Sequence, residues 1–214
     1  MTTILLVRHG ESLWNRIGVY QGQVDIPLST LGKEQARAIA ERLSEKQLDL
    51  IVSSPLRRSS ETAQAIARYH RCPFEIEPGL AEIHHGVWQG LTASEVKAQF
   101  GQLWRTWTEH PEAARMPGSD GESVGQVRDR VVSAVDFLAS RYRTGRILIV
   151  SHDLPLKIVV AAALHADLTM LSHIAVENCA LSVVRWEGAN TQLLALNRNE
   201  HLAGRRSDLK GQAL

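Results

Sequence analysis

Cysteine is scarce in this 214-residue chain: Cys72 and Cys179 lie far apart, and neither has a CxxC partner. Such usage argues against a disulfide framework and fits two free thiols in a reducing compartment. An excess of charge of one sign is also missing. With 24 Lys and Arg against 23 Asp and Glu, the formal net charge is +1. That balance leaves no footprint for nucleic acid or an anionic membrane surface. Long hydrophobic runs are absent as well. Ile4 to Val7 is too short for a signal-peptide core and runs directly into charge. The richest later stretch, Leu156 to Ala166, carries Lys157 and His165 and falls short of the roughly 20 residues a membrane span needs. No targeting segment is visible, and a soluble, cytoplasmic protein is expected. Neither an internal repeat nor an interdomain linker appears. One domain over residues 1–202 is expected, with the last stretch, "AGRRSDLKGQAL" at 203–214, as a flexible, solvated tail.

What is present is a regular alternation. Ile4 to Val7, Leu50 to Ser53 and Ile147 to Ser151 are short β-branched-rich runs that read as strands buried on both faces. Helical patterns separate them: Ser29 to Leu43, Glu61 to Tyr69, Ser123 to Tyr142 and a segment after Pro155. "SVGQ" at the start of the third is a capping box. Phe74 to Ile76 reads as an edge strand. Leu181 to Trp186 and Gln192 to Asn197 flank "EGAN" and predict a hairpin. Strands alternating with helices imply an α/β fold with a mostly parallel sheet covered on both sides. The stretch 86–121 breaks the alternation. It holds Trp88, Trp104 and Trp107 among Pro and Gly residues, and reads either as a cover over a pocket or as a side core.

In open parallel sheets, sites form beyond the carboxyl ends of the strands. "RHGES" follows the first strand, "SSPLRRSSETA" the second, "GLAEIHHGVWQG" the edge strand and "SHD" the third long one. Those ends bring Arg8, His9, Arg57 or Arg58, Glu82 and His152 toward one region. Burying such a cationic cluster without a partner would cost several kcal/mol. A dianion resolves the conflict, and phosphate suits guanidinium because the two pair bidentately.

Taken together and in order, "LVRHGES..N", "YQGQVDIPLSTLGKEQA", "SSPLRRSSETA", "LAEIHHGVWQGLT", "GSDGES" and "ILIVSH" resemble the histidine phosphatase superfamily, the phosphoglycerate mutase-like proteins. The resemblance runs from about Ile4 to His201. It implies a three-layer α/β/α sandwich with a mostly parallel central sheet, a phosphohistidine intermediate, and neither metal nor other cofactor. Carried over by position, it makes His9 the nucleophile and Arg8, Arg58 and His152 the phosphate binders. Glu82 becomes the proton donor; read without the resemblance, it is a surface salt-bridge partner. Asn15, Gln21 and Gly22 would line the phosphate loop. Glu11 would orient the nucleophile loop and Glu122 would anchor a loop or cap a helix. One position departs from the pattern: Asp153 stands where the family usually has glycine, and its carboxylate is expected to turn away from phosphate or to cap a helix.

The short stretch after Glu82 favours a phosphatase over a mutase, whose insertions there are longer. "EIHHG" and "LNRNEHL" resemble the metal-independent phosphoserine phosphatases. That likeness implies contacts from His85 and His201 to the substrate's carboxylate end; the alternatives are a packing role for His85 and a tail position for His201. The expected substrate is a small phosphorylated metabolite, phosphoserine or a similar carboxylated phosphate ester. A broad-specificity phosphatase and a cofactor-dependent phosphoglycerate mutase are the alternatives within the family. A metal-binding or scaffold protein built on His9, His84, His85, His152 and His201 is the alternative outside it, but no short spaced ligand pair supports a metal site. Homodimers are common in the family, yet no self-complementary patch can be read from this sequence.

Overall fold

The computed structural model describes residues 1–208, 212 and 213, except the side chain of Ala189. Alternation along the strands sets the layers. In β1 (Thr2–Arg8), Ile4 and Leu6 face one core while Leu5 and Val7 face another. A four-residue turn of helix, α1 (Leu13–Arg16), and then α2 (Thr30–Leu43) precede β2 (Leu50–Ser53). Next come α3 (Arg57–Ala67) and β3 (Phe74–Ile76). Two helices, α4 (Ala93–Gln99) and α5 (Gly101–Glu109), lie within the 86–121 stretch. The chain then forms α6 (Val124–Arg141), β4 (Arg146–Ser151), α7 (Asp153–Ala163), β5 (Leu181–Trp186) and β6 (Gln192–Arg198).

The six strands form one sheet in the order β3-β2-β4-β1-β5-β6. The first four run parallel, and β5 and β6 add an antiparallel hairpin beside β1. Helices α2 and α3 cover the face of Leu5, Val7, Ile51, Leu148 and Val150. Helices α6 and α7 cover the opposite face. This is the expected three-layer α/β/α arrangement. The 86–121 stretch joins the second layer: Trp88 and Trp107 are buried in the same core as Val127, Val131 and Val135, with Phe100 and Trp104 packed against it. The tryptophans therefore extend the main core and form no separate one.

Two helices start earlier than their periodicity predicts. The expected Glu61 start of α3 moves to Arg57, because the Asp25 carboxylate accepts the Arg57 N–H at 2.6 Å. Leu56, at the N-cap position, offers no side-chain cap, so a residue 32 positions away in sequence caps the helix instead. The expected start of α7 after Pro155 moves to Asp153, which leaves the proline in the first turn. An N–H has no intrahelical acceptor there, so the ring costs nothing. No helix among the described residues is long and apolar enough to cross a membrane.

Candidate active site

Parallel pairing places Arg8 opposite Ser151, so β1 and β4 release the next residues, His9 and His152, side by side. The His9 N–H donates to the Ser151 carbonyl at 2.9 Å, and the two imidazole centroids are 5.0 Å apart. Arg58 enters from the first turn of α3, and its Nε donates to His9 Nε2 at 3.3 Å. Both guanidiniums are almost wholly enclosed, Arg8 and Arg58 being 1% exposed each. Arg8 donates from Nη1 to the Val176 carbonyl (2.9 Å) and from Nη2 to Gln212 Oε1 (2.6 Å). Arg58 donates to the Val24 and Gly22 carbonyls. Two further nitrogens, Arg8 Nε and His152 Nδ1, are buried without a hydrogen-bond partner among the described residues. Arg57, the other reading of the arginine pair, is exposed and bonds Glu61.

Hydrogen bonding fixes the state of the His9 ring. Nδ1 donates to the Gly10 carbonyl at 2.7 Å, leaving Nε2 as the lone-pair nitrogen facing Arg58. Burial, then Arg58, then Arg8 hold the His9 pKa well below the ordinary histidine value. Burial also lowers His152, helped by Arg58, His9, Arg8 and Arg130. Ser54 Oγ lies 2.7 Å from His152 Nε2. Burial pulls Arg58 itself down to about 10.

Glu82 follows the turn after β3. It keeps some accessible surface toward the cavity while protein encloses its other sides. Oε1 accepts the Ile83 N–H (2.9 Å) and Oε2 the Asp153 N–H (3.1 Å). Burial raises its pKa, and the Asp153 charge raises it further; the Ile83 N–H, Arg58 and Arg8 oppose. Arg130 holds this loop. It donates to the Gly79, Ala81 and Glu82 carbonyls and pairs with Glu122, which in turn accepts the His84 N–H.

Arg8, His9, Asn15, Gln21, Gly22, Arg58, Glu82, His85 and Asp153 line one narrow cavity that opens to solvent, with Trp107, Leu154 and Ala213 among the walls. Ser12 organises the loop: its N–H reaches Asn15 Oδ1 and its Oγ donates to Gln21 Oε1 at 2.6 Å. Gly22 has φ +50°, and a Cβ there would strike the Gln89 side chain, so glycine is required. Glu11 accepts from Ser29 Oγ and ties the loop to α2. His152 adjoins the wall through its ring contact with His9. His85 packs among Tyr20, Trp88 and Trp107, and burial lowers its pKa to about 3. It is thus both a packing residue and part of the wall.

Two expectations are corrected. His201 is not in the cavity wall; its Nε2 donates to the Cys179 carbonyl at 2.9 Å, and Cys179 N–H donates to the Arg8 carbonyl. The short turn after β6 ends against Cys179, so His201 supports the Arg8 strand end from outside. Asp153 neither turns away nor caps a helix: His152 is at the N-cap of α7, and the Asp153 carboxylate faces Arg8 at 3.6 Å and Lys157 at 2.7 Å.

Other contributors carry no sequence signal. Asn178 donates to the His9 carbonyl and accepts from Gln212. Residues 203–214 read as a solvated tail, but their described members lie on the domain. Gln35 donates to the Arg205 carbonyl and to Ser207 Oγ, Arg206 pairs with Glu177, and Ala213 reaches the cavity. Among the described residues, no three His, Cys, Asp or Glu side chains are grouped so that they could hold a metal ion.

Comparison with known proteins matches this geometry. The family model of the histidine phosphatase superfamily (branch 1) matches residues 4–199. Phosphoserine phosphatase 1 of Hydrogenobacter thermophilus is 36% identical over 94% of this chain and 95% of its own length. A probable phosphoglycerate mutase GpmB of Serratia proteamaculans is 32% identical over 86% and 85%. Among solved structures, a phosphoserine phosphatase mutant from Entamoeba histolytica in complex with phosphoserine superposes with a TM-score of 0.82 at 28% identity, covering 94% of this chain and 100% of that one. With its signature motifs, strand-end histidines and buried arginines all at the expected places, the chain belongs to the histidine phosphatase superfamily.

Proposed function

We propose that the protein hydrolyses a small phosphomonoester through a phosphohistidine at His9, with phosphoserine as the substrate. The observation that carries the reading is the state of His9: neutral, anchored through Nδ1, with Nε2 turned toward Arg58. A neutral imidazole is a competent nucleophile, and phosphoryl transfer asks the protein for position and charge more than for covalent chemistry. Arg8, Arg58 and His152 supply donors to the equatorial oxygens as charge spreads over them. Arg8 Nε and His152 Nδ1, buried without partners among the described residues, gain acceptors from the phosphoryl group.

Nε2 attacks phosphorus in line as the ester oxygen leaves. Glu82, whose acid form burial and the Asp153 charge favour, gives that oxygen its proton. The resulting carboxylate then takes a proton from the water that attacks the phosphohistidine. Asn15, Gln21 and Gly22 shape the phosphate end, and His85 forms the wall toward the leaving group. His201 bonds the Cys179 carbonyl and so supports the site from outside the lined cavity. The phosphoserine phosphatases among the similar proteins support the substrate choice.

Rapid mixing with radiolabelled phosphoserine and an alkaline quench traps label on His9 in the wild type and none in His9→Ala. Label on another side chain, or full turnover in His9→Ala, overturns the reading. The mutase reading predicts phosphate exchange between phosphoglycerates that outpaces release to water.

A further inference from the structure

The departure at position 153 stands at the junction of two cavities. Beside the phosphate cavity lies a second one of about 170 Å³, lined by Thr108, Pro111, Lys157, Leu171 and Ser172. Trp107, Asp153 and Leu154 line both, so Asp153 stands where the phosphate cavity adjoins a space large enough for a leaving group. The Asp153 side chain is 9% exposed, and its Oδ1 accepts no hydrogen bond among the described residues. Its charged neighbours are Arg8, Glu82 and Lys157. Lys157, one helical turn along α7, is 17% exposed and holds Asp153 Oδ2 at 2.7 Å.

A carboxylate so placed is costly for a site that takes only anions, because it opposes Arg8 and repels an anionic leaving group. It becomes an asset when the leaving group carries a cation. We propose that Asp153 and Lys157 together recognise a zwitterionic leaving group, Asp153 taking the ammonium and Lys157 the carboxylate. The inference rests on the phosphatase reading above and names what selects its substrate. The ion pair between the two residues opens and each charge finds a new partner, so no buried charge is left alone. A phosphoglycerate offers a hydroxyl where phosphoserine offers an ammonium, and leaves Asp153 opposed to a further negative charge.

Four substrates separate the contributions: phosphoserine, phosphoethanolamine without the carboxylate, 3-phosphooxypropionate without the amine, and p-nitrophenyl phosphate without either. The measured quantity is kcat/KM for wild type, Asp153→Asn and Lys157→Met. In Asp153→Asn the ratio of phosphoserine to 3-phosphooxypropionate falls roughly tenfold to a hundredfold, since a charge-assisted bond is lost. In Lys157→Met the ratio of phosphoserine to phosphoethanolamine falls by a similar factor. Equal losses on all four substrates in both variants overturn the proposal and leave Asp153 acting on Glu82 alone. Failure of the wild type to prefer phosphoserine over p-nitrophenyl phosphate instead overturns the substrate reading on which it rests. Circular dichroism and a cooperative urea transition report folding of each variant, and Lys157→Met, at a partly exposed position, decides the matter if Asp153→Asn does not fold.

Discussion

At the scale of single residues, the site depends on keeping two groups in uncommon protonation states. Burial and two guanidiniums hold the His9 pKa well below the usual histidine value, so on the proposed mechanism its nucleophilicity survives into acid. Burial and Asp153 keep the Glu82 carboxyl protonated above the usual carboxylate range. The acid form must be present for the leaving oxygen to receive a proton, so kcat/KM falls as pH rises through the Glu82 pKa. The acid limb starts well below about pH 6.5, the ordinary histidine value. In Asp153→Asn the second-largest cause of the Glu82 shift is gone, and the alkaline limb moves to lower pH on every substrate. A pH–rate profile with 3-phosphooxypropionate, whose alkoxide leaving group needs the proton and which carries no ammonium, checks this; a limb that stays in place shows that burial alone sets Glu82. Arg8, His9, Arg58, Glu82 and His152 were brought together by the sequence because each stands in a short pattern at or soon after the end of a strand. Asn178 and Arg130 were not: each sits in no motif, and its role exists only once the chain has folded around a carbonyl it serves.

At the scale of elements, the strands were legible almost to the residue, because burial on both faces demands unbroken apolar runs. Helix starts were less so where the cap comes from elsewhere in the chain. Helix α6 begins where its capping box says, Ser123 Oγ accepting from Gln126 N–H and the Gln126 side chain reaching back. Helix α3 has no such local signal, and Asp25 caps it from a distant loop. The same loop supplies the Gly22 and Val24 carbonyls that hold the Arg58 guanidinium, so the cap also sets the reach of Arg58. Asp25→Ala should lower stability by about 1 kcal/mol, the usual cost of losing a helix cap, and should lower kcat more than a remote surface change of equal stability cost. Asp25→Asn, which retains the acceptor, restores both. Urea denaturation with parallel turnover assays reads the two effects; an activity loss that tracks the stability loss alone removes the link to Arg58.

At the scale of the whole molecule, the sheet order explains why distant motifs meet. β4 lies between β1 and β2, so three strand ends open on one edge, and the rule for parallel sheets was enough to foresee the meeting. The turn back of the last residues onto Arg8 and Asn178 could not be foreseen, because a Gly-, Arg- and Lys-rich segment has no period to reveal an anchor at Gln212. The architecture has a cost that solution measurements can detect. His9, His85 and His152 are all buried, and burial depresses all three pKa values, that of His85 to about 3. A histidine with a depressed native pKa contributes stability that is complete above the unfolded value of about 6.5 and is lost as pH falls toward the native one. Between those limits the unfolded chain binds protons that the native chain refuses, and each such histidine costs up to about 1.4 kcal/mol per pH unit. Glu82 works in the opposite sense, since its raised native pKa adds stability in acid that is lost as pH rises through that value. Three groups outweigh one, so stability should decline steeply below about pH 6.5. His85→Asn, which removes one titrating ring from the wall without touching the His9 cradle, should shallow that decline by up to about 1.4 kcal/mol per pH unit. Urea midpoints of both proteins across the acid range measure the slopes directly. Parallel slopes for wild type and variant would mean that His85 keeps an ordinary pKa and is not sealed among Tyr20, Trp88 and Trp107.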